Sequence, residues 1–408
     1  MQALSFEVEH RSAFARSGRV TTPHGSFQTP AFMPVGTRAT VKGLTPQQVR
    51  STGAEIILGN AYHLMLRPGD ELIAAQGGLH GFSRWHRPML TDSGGYQAWS
   101  MADINSVDDD GVTFTSIIDG SRIRMTPERS IEVQNNLGAD IIMAFDDCPP
   151  SVEPQTMNIA RRRHAMTTRE GSLTPSDHRD RLLVSMDRTA RWLERCAAAH
   201  ARGEDQALFG IVQGGTELEL RSRSVEQVCS VDLPGYAIGG VAVGESPQQI
   251  TSVVAHTAAL MPQEKPRYLM GVGYERDIVA AVAAGIDMFD CVLPTRNGRN
   301  AQAFTRSGRL HLRNAAFKED DRPIEPACTC PVCRGGFSRA YIRFLHQSKE
   351  MLGGTLVSLH NLHHFQGLML DIRAAIRDDS WLSLAEAWPV LGGDGDSSLE
   401  NHPGLHQS

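Results

Sequence analysis

The chain has 408 residues, 41% hydrophobic and 21% charged, which excludes a disordered or membrane-embedded protein and admits one large α/β barrel or two ordinary domains. Its formal net charge of -6 excludes a surface that is basic all over, so any nucleic-acid contact must use a local basic region. Seven cysteines, four of them far apart (Cys148, Cys196, Cys229, Cys291), exclude a disulfide framework, and the charge-broken N-terminus lacks a secretory apolar stretch, so a cytoplasmic protein with no membrane partner is expected.

In chain order, eight short apolar runs recur: 31 to 35, 56 to 59, 89 to 91, 141 to 145, 207 to 212, 236 to 239, 267 to 270 and 286 to 289. Continuous apolar runs suit parallel strands covered by helices on both faces. The count predicts a (β/α)8 TIM barrel over residues 1–310. Every run but the first leads into a polar or glycine position, namely Asn60, Asp92, Asp146, Gln213, Gly240, Gly271 and Asp290. Catalytic groups of such barrels sit at the C-terminal strand ends, so these positions would share one mouth.

Between the runs, residues 111–126 carry Asp119-Gly120 between β-prone stretches, which predicts a hairpin closed by a type I′ turn. Residues 149 to about 180 are rich in Pro, Ser, Thr and Arg and read as a long surface loop before a helix beginning near Ser185. A zinc-binding subdomain with closing helices is expected at 311–385, and a disordered polar tail at 386–408.

Cys328, Cys330 and Cys333 place three thiols within six residues, followed by a predicted helix and a histidine group. Three cysteines and one histidine complete a closed tetrahedral structural site, so one Zn2+ per chain is expected. Spacing alone leaves His346, His360, His363 and His364 as candidates for the fourth ligand.

Three strand-end aspartates beside Gln213 and glycine pairs suggest a site rather than three separate helix caps. Two carboxylates suit chemistry at a sugar anomeric carbon, where one attacks and the other moves protons. Downstream, Arg296, Arg299, Arg306, Arg309 and Arg313 form a basic run with no acidic residue until Glu319, placed to meet phosphates.

The motifs TDSGGYQ (91–97), FDDC (145–148), GIVQGG (210–215) and DMFDCVLPTRNGRN (287–300) resemble the bacterial-type tRNA-guanine transglycosylases over most of residues 5–385. The resemblance implies Asp290 as nucleophile and Asp92 as general acid/base. It further implies Asp146 and Gln213 as hydrogen-bond partners of the base, with Gly239 and Gly240 as backbone donors. Tyr96 and Met270 would sandwich the base, Cys148 would line the wall, and Ser93, Asn60 and Gly271 would support it. The Val241 carbonyl, organised by Glu245, would meet the ammonium of the incoming base preQ1, with Val243 setting pocket size. The LHNL context favours His360 as the zinc ligand. The implied substrate is the wobble guanine of tRNAs for Asn, Asp, His and Tyr, and the implied assembly a homodimer. FDDC for the usual FDEC, the long loop after it, and Tyr274-Glu275 depart from the family pattern. A barrel glycosidase would share the paired carboxylates without the cysteine cluster or arginine run. A silent tRNA-holding subunit would lack the nucleophile.

Overall fold

The computed structural model describes residues 3–96, 104–152, 175–242 and 245–392. The chain opens with a three-stranded antiparallel sheet, β1 (Ser5–Ser12), β2 (Ala15–Thr22) and β3 (Gly25–Thr29), which the sequence reading did not anticipate. Most of β1 is exposed, so its charges interrupt the apolar pattern that marks a strand.

All eight expected runs then form strands of one parallel sheet: β4 (Ala31–Pro34), β5 (Ile57–Gly59) and β6 (Met89–Thr91) come first. The sheet beside the barrel follows, β7 (Ile104–Asp108), β8 (Gly111–Thr115) and β9 (Arg122–Met125). The barrel resumes with β10 (Ile141–Met143), β11 (Ala207–Val212), β12 (Gly235–Ile238), β13 (Arg267–Leu269) and β14 (Met288–Cys291). Their order is β4-β14-β13-β12-β11-β10-β6-β5, and a parallel bridge from Val35 to Leu58 brings the two edges together. The expected α/β barrel is therefore present.

Successive strand residues point to opposite faces, and both faces here are buried. Met33, Leu58, Leu90, Ile211, Ala237, Tyr268 and Met288 belong to one core cluster, which also takes Leu4, Val20 and Phe27 from the N-terminal sheet. Phe32, Ile57, Met89, Ile238, Leu269 and Phe289 belong to the other, against the outer helices. The N-terminal sheet thus contributes to the core that fills the barrel. Adding two residues to each of the first set gives Val35 and then Asn60, Asp92, Gln213, Gly239, Met270 and Asp290. Strand alternation alone aims these seven positions inward at the C-terminal rim.

The hairpin expected at 111–126 forms, but not with a type I′ turn. β8 and β9 are joined by residues 116–121, closed by Gly120 N–H to Ser116 O (3.0 Å) and Ser116 N–H to Ser121 O (2.8 Å). Gly120 has φ +74° while Asp119 does not enter the positive-φ region that a type I′ turn requires at both central residues. The helix expected near Ser185 starts earlier, spanning Pro175–Ala199.

After β14 comes a helix, Leu293–Arg299, and the hairpin β15 (Gln302–Thr305) and β16 (Gly308–His311). The long helix Met351–Asp378 packs across them. Asn361 is buried there with all its bonds made: it accepts from Phe304 N–H (2.9 Å) and donates to Pro294 O (2.9 Å) and Gln302 O (2.9 Å). Within residues 386–392, placed by composition in the tail, Trp388 and Leu391 are buried. Trp388 is 1% exposed and donates from its indole to Asp371 at 2.9 Å, since its apolar area outweighs the polar neighbours that suggested disorder. Among the described residues, no helix is long and apolar enough to cross a membrane.

Candidate active site and metal centre

Asp92 leaves β6 and is buried against the first turn of the helix Ala61–Leu66, accepting from Ala61 N–H (2.8 Å) and from the Asn60 amide. Those bonds orient both carboxylate oxygens. Ser93, next in the chain, donates to Asp146 at 3.2 Å and accepts from Gly95 N–H. Gly95 passes so close to Asp146 that an added Cβ would stand 2.9 Å from its carbonyl, so this loop needs glycine for close approach.

Asp146 also accepts from the Gln213 amide at 2.6 Å, which joins the ends of β10 and β11. Burial pushes the Asp146 carboxyl up to about 6, with the charge of Asp147 adding and the Gln213 and Ser93 bonds opposing. Asp147 faces elsewhere. It meets Arg181 (2.7 Å) and Arg188 (2.6 Å) of the helix Pro175–Ala199, so the acidic residue that distinguishes FDDC is bound up in a buried ion-pair network. Cys148 is buried beside these groups, and burial pushes its thiol up, which disfavours the thiolate form.

Asp290 stands at the end of β14. Its Oδ1 accepts from the Tyr268 hydroxyl (2.5 Å) and from Gly271 N–H (2.7 Å), while Oδ2 takes no hydrogen bond among the described residues. No lysine or arginine lies within ion-pair distance of it among the described residues. Burial raises its carboxyl, against the pull of the two donors. The Tyr268 hydroxyl is held well above its ordinary value, first by burial and then by the charge of Asp290, with the charge of Asp92 adding. Sequence reasoning missed Tyr268 because a tyrosine inside an apolar run looks like core. Its signal was position, two residues before Met270 on the inward face.

Gly239 and Gly240 follow β12 beside Gln213, and Met270 is partly buried at the end of β13. Tyr96 is 45% exposed, Val241 is buried, and Glu245 acts electrostatically on buried Arg221. Val243 lies outside the described residues.

The predicted arginines divide. Arg306 pairs with Asp371 (2.9 Å) and stacks over Trp388 (4.5 Å), so it ties the C-terminal helices together. Arg296, Arg309 and Arg313 are exposed, Arg299 is half-buried, and none of the four enters an ion pair among the described residues. Arg309 lies over the Tyr274 ring at 4.9 Å. Glu275 is buried against His364 at 2.8 Å, which links a barrel helix to the helix Met351–Asp378. That bond takes His364 out of the ligand set.

The cysteine cluster converges on His360. Its Nδ1 is 3.7 Å from Cys328 Sγ and 3.5 Å from both Cys330 Sγ and Cys333 Sγ. A tetrahedral ion with bonds of about 2.3 Å to sulfur and about 2.0 Å to nitrogen separates such atoms by roughly 3.5 Å. The four residues fit a metal. His360 Nε2 donates to Phe304 O at 2.8 Å, leaving Nδ1 with its lone pair toward the thiols.

A second gathering of ligating groups, His24, His80 and Asp140, lies at the opposite end of the barrel. Its two imidazoles stack with centroids 3.5 Å apart and planes 14° from parallel. Rings stacked this way cannot both hold one ion in their planes. Asp140 instead accepts from His24 Nδ1 (2.8 Å) and from Met89 N–H (2.8 Å), and forms a structural latch.

The family described as queuine tRNA-ribosyltransferase matches residues 11–173 and 166–389. A protein named queuine tRNA-ribosyltransferase from Thermus thermophilus is 50% identical over 93% of this chain and 91% of its own. Relatives of the same name from Halothermothrix orenii and Stenotrophomonas maltophilia are 48% and 47% identical, covering 94% and 96% of this chain and 96% and 98% of theirs. With its barrel, its rim of carboxylates and these matches along nearly its full length, the chain belongs to the queuine tRNA-ribosyltransferase family of glycosyltransferase enzymes.

Proposed function

We propose that the protein exchanges the wobble guanine of tRNAs for Asn, Asp, His and Tyr for preQ1, as a step of queuosine biosynthesis. The observation that carries this reading is Asp290: one oxygen is anchored by Tyr268 and Gly271, and the other is unengaged among the described residues. In the first displacement Oδ2 bonds to C1′ as the C1′–N9 bond breaks, and Asp92 protonates the leaving guanine. In the second, N9 of the incoming base attacks C1′, its proton passes to Asp92, and the ester oxygen leaves. Two displacements on one centre retain its configuration.

Asp146 and Gln213 are suited to hold the base, since a guanine edge offers donors to the carboxylate and an acceptor to the amide. Tyr96 and Met270 would cover its faces. Ser93 and Asn60 would orient the carboxylates, and Cys148 would close the wall. The Val241 carbonyl, with Glu245 near it, is the proposed partner of the preQ1 ammonium. Arg296, Arg299, Arg309 and Arg313 supply cations for the anticodon-loop phosphates. Zinc is the proposed ion of the Cys328, Cys330, Cys333 and His360 site; it would act as a structural tie and enter no chemical step. Phe344 and Met351, exposed in the same C-terminal segment, support a homodimer formed through residues 311–385, and a cytoplasmic setting follows from the tRNA substrate.

The test is incubation with tRNA carrying labelled guanine at the wobble position, plus preQ1. Release of label that requires preQ1 is expected, and retention of label would refute the reading.

A further inference from the structure

We propose that Arg221 is a positioning residue that turns two consecutive backbone N–H groups toward the O6 acceptor of a 6-oxopurine or 6-oxo-7-deazapurine base. The proposal rests on the base-exchange reading above and names what makes the backbone of its recognition loop a donor.

Arg221 sits in the helix Leu218–Cys229 and is 0% exposed. No carboxylate lies within ion-pair distance among the described residues. Its guanidinium is spent on four carbonyls: Nε donates to Gly215 O (2.9 Å), Nη1 to Val212 O (3.0 Å) and Gly239 O (2.8 Å), and Nη2 to Gly240 O (3.1 Å). Val212 O ends β11, Gly215 O lies in the loop after it, and the other two acceptors lie in the loop after β12. Burial pulls the group down to about 10, so it stays charged at neutral pH. A buried cation without a hydrogen-bonded counter-ion is costly, and charge-assisted bonds to four oxygens offset that cost.

The direction of those oxygens decides the rest. In a planar trans peptide the carbonyl of one residue and the N–H of the next point to opposite sides. With Gly239 O and Gly240 O turned to Arg221, the N–H groups of Gly240 and Val241 turn away from it. Neither donates to another described residue, whereas Gly239 N–H is used by Val212 O at 3.0 Å. The Gln213 amide lies flush on the same ledge, since a Cβ on Gly240 would stand 2.3 Å from its Oε1. Gln213 in turn donates to Asp146. The result is a line of carboxylate, amide and two N–H donors, backed by a cation that strengthens them. Such a line matches a base edge with a donor at N1 and an acceptor at O6.

The experiment compares 7-deazaguanine with 2-amino-7-deazapurine, which lacks O6, as competitive inhibitors of guanine exchange into tRNA. It uses the full-length wild type, Arg221→Lys and Arg221→Gln. The wild type is expected to prefer the 6-oxo base by about 100-fold, and both variants by under about 10-fold, because buried donors left unpaired or misdirected lose their discrimination. The KM for tRNA should stay within about twofold, which a general loosening of the fold would not spare. Folded variants that keep the wild-type preference would overturn the role of Arg221. Should neither variant fold, a crystal structure of the wild type with guanine decides: O6 on Gly240 N and Val241 N is expected, and O6 elsewhere refutes. A wild type that neither exchanges nor binds guanine would instead refute the base-exchange reading itself.

Discussion

Asp287 and Asp290 lie three residues apart, at opposite ends of β14, and the barrel treats them in opposite ways. At the floor, Asp287 is wholly buried and takes two bonds from the Arg16 guanidinium (2.8 and 2.5 Å) and one from Arg267 N–H (2.7 Å). Burial raises the Asp287 carboxyl against the opposing Arg16 guanidinium, while at its neighbour Asp140 burial is outweighed by His24 and His80, which hold that carboxyl well below the ordinary range. At the mouth, Asp290 and Asp146 have no cation within ion-pair distance among the described residues, and burial raises both carboxyls. One end spends its carboxylates on holding the fold. The other leaves Asp290 and Asp146 without a cation among the described residues, in a state that a substrate can complete.

Breaking the mouth should cost activity and spare the fold. Asp290→Asn is expected to lower guanine exchange by at least about 10³-fold, because an amide oxygen is a poor nucleophile. Its thermal midpoint should match or exceed that of the wild type, measured by circular dichroism alongside tRNA binding. Breaking the floor should do the reverse. Arg16→Met leaves Asp287 uncompensated and should destabilise the protein by about 3–5 kcal/mol in denaturant titration, with kcat of the folded fraction little changed. An Arg16→Met protein as stable as the wild type would remove the contrast.

The pH dependence sharpens the comparison. Asp146 has its folded pKa raised from 3.8 to about 6, so it contributes stability below about pH 4 and loses it as pH rises through about 6. Asp146→Asn should therefore raise stability by about 2–3 kcal/mol at pH 8 and by little at pH 4. Base recognition runs the other way, since the ionised carboxylate is the acceptor: kcat/KM for guanine should rise between pH 5 and 7. The smallest effect is expected at the latch. His24 is raised by its bond to Asp140, so its contribution is full below about pH 6.5 and fades above its folded pKa. Because the ring is 40% exposed, His24→Gln should cost under about 1 kcal/mol at pH 6 and less at pH 8.

How much of this was legible in the sequence follows from what each residue's neighbours are. The eight strands were visible because burial on both faces leaves unbroken apolar runs, and alternation then placed Asn60, Asp92, Gln213 and Asp290 on one rim. The cysteines were visible because three thiols in six residues have few other uses, and the structure selects His360 by aiming Nδ1 at all three. Arg221 was not visible: in a helix with polar neighbours it reads as a solvated charge, and its partners are carbonyls, which leave no mark in a sequence. Arg16 is hidden for a similar reason, since its carboxylate lies 271 residues away. The N-terminal sheet escaped because its exposed strand keeps its charges, and the Asp119-Gly120 pair misled because a longer loop places only the glycine at positive φ.

The central claim is that Asp290 is held back from the fold so that its free oxygen can bond to ribose. The most direct test is denaturing gel electrophoresis of enzyme mixed with tRNA and a slowly released base analogue, run for the wild type and for Asp290→Asn. A shifted protein–RNA band in the wild type, absent in the variant, is the predicted result. A band of equal strength in Asp290→Asn would show that the attacking group lies elsewhere.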